Sequence, residues 1–229
     1  MMKKVSRISF SGAGWRFPFH LGVCHFLREN ELLNKRNLKA SGSSAGSVAA
    51  LCLLLGVDMK KMQNSSLKAA AKINYKYKLL GGNWNDVVVP ALQRITNMHN
   101  DDDIYKKVNG KLFVNLSRPI WKKELVSEYS NNDHLVDVVL ASQYVPTVCQ
   151  KMPKPTGGRL YFDGSLTDNF PDIGEKTVNV GFSNPLSKVK ADIEPSIKSN
   201  LLQTFRPDDK IMKDLFKDGF QQAEKFFSK

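Results

Sequence analysis

The 229-residue chain carries 34 Lys and Arg against 22 Asp and Glu, a formal charge of +12, and 41% hydrophobic residues. That length and composition exclude a repeat array, a low-complexity chain and a disulfide-dependent scaffold, and they fit a single folded domain over residues 1–229. The charge favours an anionic contact, for which phospholipid surfaces and nucleic acid both qualify.

The longest apolar run, Val48 to Val57, is interrupted by Gly56 and is about half the roughly 20 residues that a bilayer span requires. The opening Met-Met-Lys-Lys-Val-Ser-Arg has no apolar signal region, and Cys24, Cys52 and Cys149 show neither CxxC nor metal-ligand spacing. An intracellular, reducing setting with buried thiols is expected.

Arg7 to Phe10 reads as a strand, Gly12 and Gly14 as a tight turn, and Leu21 to Leu33 as a helix. A second such unit follows: a weak strand at Leu38 to Ser41, a turn at Gly42 to Gly46, and an apolar helix from Ser47 to Leu55. Two strand-turn-helix units in succession imply an α/β fold, and a helix apolar on all sides implies a central position. Lys68, Lys72 and Lys76 repeat every four residues, the pattern of a solvated helix face or of a face for anionic lipid. Asp101 to Asp103 reads as a loop, since the glycine hinge of a calcium loop is missing.

Strand-like runs follow at Lys111 to Leu116 and Trp121 to Tyr129, then a helix capped by Asn132 or Asp133 that ends before Pro146. A Pro/Gly-rich loop leads to a strand at Arg159 to Phe162, with Asp163-Gly164 turning off its end. Past a core of about residues 5–182, the C-terminal segment 183–229 ends in a helix from Asp209 to Phe227. Its stripe of Met212, Phe216, Phe220, Ala223 and Phe227 points to core docking.

Gly42-Ser43-Ser44-Ala45-Gly46 fits G-x-S-x-G, in which a serine sits on a sharp strand-to-helix turn. Small neighbours at Gly42 and Gly46 are what such a turn tolerates, and the helix behind it offers a positive N-terminus. A serine nucleophile needs a base and oxyanion donors. The histidines are His20, His25, His99 and His134, and none follows Asp163. A triad ending in His134 would have to use Asp58, Asp86 or one of Asp101 to Asp103, none of which ends a convincing strand. Asp163 does end one, although Asp-Gly is also an ordinary turn. The Gly12-Ala13-Gly14 backbone can approach a ligand closely and offer N–H groups to an oxyanion. A dinucleotide loop would need glycine where Phe17 stands and an acid after the next strand, and neither is evident.

Ser11-Gly12-Ala13-Gly14-Trp15-Arg16, then Gly42 to Gly46, then Asp163-Gly164-Ser165 is an order that resembles the patatin-like phospholipases. Val139 to Pro146, Tyr161 to Gly164, Asp168-Asn169-Phe170-Pro171 and Phe205-Arg206-Pro207 resemble in particular the adipose triglyceride lipase and adiponutrin branch. The resemblance implies a three-layer α/β/α fold with a mainly parallel central sheet. It also implies a serine lipid acyl hydrolase with a Ser44–Asp163 dyad, an oxyanion hole at Gly12, Ala13 and Gly14, and elbow support from Gly42 and Gly46. No metal or organic cofactor is implied.

The implied partners are a lipid substrate at a membrane or lipid-droplet surface and a protein activator, with cytoplasmic, peripheral localisation. No nucleic acid is expected, since the charge has no motif behind it. The chain departs from the family pattern at Phe17, where glycine is usual, and at Ser165. A large side chain at 17 would crowd the oxyanion loop or narrow the cleft, which points either to an unusual substrate or, as the alternative to a working hydrolase, to a weak or inactive relative that binds lipid or a lipase regulator. The longer hydrophobic tail that lipid-droplet relatives use for anchoring is also expected to be missing.

Overall fold

The computed structural model describes residues 4–72, 92, 103–146, 158–183, 189–200 and 202–229. The described elements are β1 (Arg7–Phe10), α1 (Pro18–Glu29), β2 (Lys39–Ser43), α2 (Ala45–Leu55), α3 (Met59–Ala70), α4 (Ile104–Val108), β3 (Leu112–Arg118), β4 (Lys122–Val126), α5 (Asn132–Ala141), β5 (Val178–Val180), α6 (Leu202–Phe205) and α7 (Asp209–Phe227). They form a five-stranded sheet in the order β4-β3-β2-β1-β5. Strand β1 is parallel to β2 and β5, β2 is parallel to β3, and β4 closes one edge antiparallel to β3. The chain thus steps outward from β1 to β4 and then returns to the far side of β1. In open α/β sheets such a reversal leaves a crevice at the carboxyl ends of the strands.

Local chemistry accounts for the elements around that crevice. Helix α1 starts at Pro18, whose missing N–H costs nothing in a first turn. Helix α2 buries ten of its eleven residues, which fits its lack of a polar face, and it stops at Gly56 with φ 71°. Helix α7 is capped by Asp208, whose side chain accepts from Ile211 N, and it lies across α1. Two glycines permit that crossing: a Cβ on Gly22 would stand 2.1 Å from the Phe216 carbonyl oxygen, and one on Gly219 would stand 2.1 Å from that of Phe19. Phe216 stacks on His25 and Phe220 meets the edge of Phe26 on either side of the contact. Buried Asp218 accepts from Ser196 Oγ at 2.6 Å, Ser196 N at 2.8 Å and Ile197 N at 3.3 Å, which ties the segment before α6 to the helix.

The expected α/β class and mainly parallel sheet are present, and α7 docks through the expected stripe. Three local expectations differ. Arg159 to Phe162 is not a continuous strand: Arg159 and Phe162 form isolated bridges, that of Phe162 with Ser117 of β3. The cap of α5 is Asn131, which accepts from His134 N, rather than Asn132 or Asp133. The lysine stripe does not sit on one described helix, because α3 ends at Ala70 and Lys72 lies in the following turn. Lys76, Asp86, His99, Asp101, Asp102 and Cys149 fall outside the described residues.

Cys24 and Cys52 are buried free thiols, and burial pushes both up, Cys52 to about 12. No described helix is long and apolar enough to cross a membrane, and no metal-holding cluster of His, Cys, Asp or Glu occurs among the described residues.

Gly219→Val forces a branched side chain into the α1–α7 backbone contact. The expected loss is about 2 kcal/mol or more of unfolding free energy, read from urea denaturation; unchanged stability would mean that the helices part without cost.

Candidate active site

Ser44 joins the end of β2 to the start of α2 with φ 55° and ψ −130°, a conformation that non-glycine residues rarely adopt. Close backbone contacts hold it there. A Cβ on Gly42 would lie 2.3 Å from the carbonyl carbon of Gly46, and one on Gly46 would lie 2.3 Å from the Phe10 carbonyl oxygen of β1. Glycine is therefore required on both flanks. The Ser44 amide donates to Ser142 Oγ at 2.9 Å, and that hydroxyl donates onward to the Asn115 carbonyl at 2.7 Å. Ser44 is 9% exposed, so its hydroxyl is reached only from one side.

Asp163 is fixed from both chain directions. Its amide bonds to the Tyr144 carbonyl, and Gly164 N bonds to the carbonyl of Ser142, the residue that also holds the Ser44 amide. Gly164 must be glycine, since a Cβ would stand 2.1 Å from the Asn115 carbonyl oxygen. The Asp163 carboxylate is buried, and burial raises it above the ordinary carboxylate range. Hydrogen bonds from Ser165 and Ser44 oppose the rise. The Ser165 hydroxyl and amide reach Oδ1 at 2.6 and 2.9 Å, and the Ser44 hydroxyl also faces the carboxylate.

The glycine loop after β1 runs alongside. Gly14 has φ 55° and leads a 3-10 turn over Gly14–Arg16. The Gly12 amide is already committed to Asn169 Oδ1 at 3.0 Å, while no described group accepts from the amides of Ala13 or Gly14. Asn169 also donates to the Phe182 carbonyl at 2.8 Å and so binds the loop to the end of β5. Beneath the loop, Ser11 Oγ accepts from Phe182 N and contacts His20 Nε2 at 3.4 Å. Burial, aided by the charge of Arg16, depresses His20 to about 3, so this imidazole is neutral and structural.

These pieces line one cavity of about 550 Å³, with Ala13, Ser44, Asp163 and Phe182 on its wall. Part of the wall comes from beyond residue 182: Pro195, Ile197, Thr204 and Phe205 all face it. Arg16 lines it too, its guanidinium 4.1 Å from the centre of the Phe182 ring and lowered to about 10 by burial.

The structure thus brings Gly12, Ala13, Gly14, Ser44 and Asp163 together and places Gly42 and Gly46 under the turn. It does not assemble the alternative triad, because His134 caps its own loop against Ser130 and Asp58 caps α3, both away from the cavity. The expectation for Phe17 is overturned. Its φ of −58° needs no glycine, and its side chain is 8% exposed within the main core and absent from the cavity wall. Arg16, Ser142, Ser165 and Asn169 stand inside the runs that carry the resemblance, but motif reading gives none of them its bonding role in the site.

The model of the patatin-like phospholipase family matches residues 8–171. Patatin-like phospholipase domain-containing protein 2 of Mus musculus is 24% identical over 96% of this chain and 49% of its own length. Omega-hydroxyceramide transacylase of Mus musculus is 29% identical over 72% of this chain and 28% of its own. The mouse 1-acylglycerol-3-phosphate O-acyltransferase Pnpla3 is 25% identical over 74% and 41%. The chain therefore spans about half, or less, of the length of these relatives. Among solved structures, VipD from Legionella pneumophila shares the fold with a TM-score of 0.53 at 14% identity, over 96% of this chain and 66% of that one.

Because the folded carboxylate of Asp163 lies above its unfolded value of 3.8, ionising it costs stability. The stability of the protonated form is complete below the unfolded value and is lost as pH rises through the folded one. Asp163→Asn is therefore expected to raise the melting temperature at pH 7, with the gain fading as pH falls towards 3.8. Melting curves of both proteins across pH 3 to 8 check the sign.

Proposed function

The chain belongs to the patatin-like phospholipase family, and from that membership we propose that it cleaves ester-linked fatty acyl chains with Ser44 as nucleophile and Asp163 as general base. The observation that carries this reading is the strained Ser44 turn facing a buried, hydrogen-bonded Asp163 inside one cavity.

Ser44 Oγ attacks the acyl carbonyl while its proton passes to the Asp163 carboxylate. With Oδ1 held by both Ser165 donors, Oδ2 is the oxygen on which that proton lands. Charge developing on the carbonyl oxygen meets the Ala13 and Gly14 amides, because Asn169 occupies that of Gly12. Collapse expels the alcohol, which takes the proton back from Asp163 and leaves an acyl-Ser44 ester. Water, deprotonated by the same carboxylate, then releases the fatty acid; an alcohol at that step gives acyl transfer instead. The raised affinity of Asp163 for protons suits a base that works without histidine. Phe17, buried in the core, gives no support to a silent relative.

A fluorophosphonate probe reacts covalently with an activated serine. Labelling of the wild type and its loss in Ser44→Ala are expected, with ester turnover falling about 10³-fold or more. Folded wild type that resists the probe would refute the proposal.

The acidic limb of the rate–pH profile should report Asp163 losing its proton. Ser165→Ala removes a bond that favours the carboxylate, so that limb is expected to move to higher pH while the plateau rate changes less. An unmoved limb would mean that another group sets it.

A further inference from the structure

The connection between β3 and β4 is built against ordinary turn chemistry. Ile120 and Trp121 both have positive φ, 66° and 55°, where glycine or asparagine is the usual occupant. Both also face outward, Ile120 87% and Trp121 67% exposed. A β-branched residue and an indole held in a strained turn at a hairpin tip gain nothing from the core, and a conformational outlier of this kind points to function.

The surroundings of the tip narrow its purpose. Trp121 stands 6.4 Å, ring centre to ring centre, from Phe162, the residue before Asp163. Leu160, two residues before Phe162, is 42% exposed, and Leu166, on the cavity wall, is 43% exposed. Exposed apolar side chains thus stand at the hairpin tip, in the segment before Asp163 and on the cavity wall. Around the tip, Arg118 pairs with Glu124 at 3.0 Å and Lys123 with Asp168 at 2.5 Å, so those two bases and two acids cancel. The unbalanced charge is positive: exposed Lys122 next to Trp121, and exposed Arg159 next to Leu160.

We infer that this hairpin tip is a membrane-docking wedge, in which Ile120 and Trp121 enter the headgroup–acyl boundary of an anionic phospholipid surface and the basic residues bind its headgroups. Tryptophan favours that boundary because its ring is apolar and its N–H remains hydrogen-bonded there. Basic side chains around an apolar tip add attraction to anionic lipid and leave a neutral one with only the apolar term. The orientation brings Leu166 and the cavity mouth towards the lipid, so an acyl chain can enter the site without crossing water. The inference relies on the acyl-hydrolase reading only for the meaning of that mouth.

The test uses the full chain and vesicles of phosphatidylcholine with or without 30% phosphatidylserine, read by co-flotation in ~0.15 M salt. Wild type is expected to float with the anionic vesicles and weakly with the neutral ones. Ile120→Asn/Trp121→Asn, which suits the left-handed backbone and should melt no lower than wild type, is expected to bind about tenfold or more weakly. Ser44→Ala should float like wild type, since docking needs no turnover; a chain that floats but never hydrolyses refutes the reaction and leaves the docking standing.

Equal flotation of the Asn variant, or no flotation of wild type, would overturn the wedge. So would a wild-type dimer in size-exclusion chromatography that the Asn variant converts to monomer, because the tip would then be covered by a second copy.

Discussion

The site depends on a contact between two backbones. Helix α2 can follow β2 at Ser44 only if Gly46 lies against the carbonyls of Phe10, which ends β1, and of Ser11 just after it, at distances no side chain would permit. That contact sets the distance between the Ser44 turn and the glycine loop that continues β1. It also carries strain, since a non-glycine residue at φ 55° and ψ −130° costs of the order of 1–3 kcal/mol. Bonds around the turn offset part of that cost: the Ser44 amide to Ser142, and the Ser47 hydroxyl to the Ser44 carbonyl at 2.6 Å. With the turn pinned on both sides, the hydroxyl is the part of Ser44 left to face the cavity.

Asp163 is brought to that hydroxyl by a second set of restraints that share one logic. Ser9, Ser41 and Ser43 are buried hydroxyls on the central strands, and each donates to a carbonyl of the segment after Asp163: Pro171 for the first two, Asp168 for the third. Asn115 adds bonds to the carbonyls of Gly164 and Asp168. Buried polar groups would be costly in a sheet interior without partners, and here they are spent on stitching an irregular segment to regular strands. The same burial raises the proton affinity of Asp163, and Ser165 restrains the rise. Rigidity and basicity therefore have one source, the removal of the carboxylate from water.

What the sequence discloses of this site is its local part. G-x-S-x-G and Gly12-Ala13-Gly14 are legible because each motif is a short-range steric demand, met by small residues next to one another. The pairing of Ser44 with Asp163 spans 119 positions and depends on strand order, so it came through family resemblance rather than from spacing. The buried serines were illegible because a hydroxyl in a strand looks like a solvent-facing or turn residue until its carbonyl partner is known. Phe17 misled because the glycine expected there belongs to a loop, whereas in this chain that position has already entered helical geometry. Arg159 to Phe162 has the composition of a strand, but β2 covers β3 only as far as Asn115. What is left of that edge pairs with a single residue, Phe162, opposite Ser117.

The C-terminal segment belongs to the same argument. Ile193 bridges to Val180 of β5, Asp218 holds Ser196 and Ile197, and α7 reaches α1 through the two glycines. Those links carry Pro195, Ile197, Thr204 and Phe205 to the wall of the cavity that Ser44 also lines. The glycine loop is held in turn, since a Cβ on Gly14 would fall 2.0 Å from the Thr204 carbonyl oxygen. The glycine loop, whose oxyanion role is part of the proposal, is thus braced from one side by Asn169 and from the other by residues nearly two hundred positions later. Loosening α7 would reach the proposed chemistry through that brace, although no residue of α7 lines the cavity.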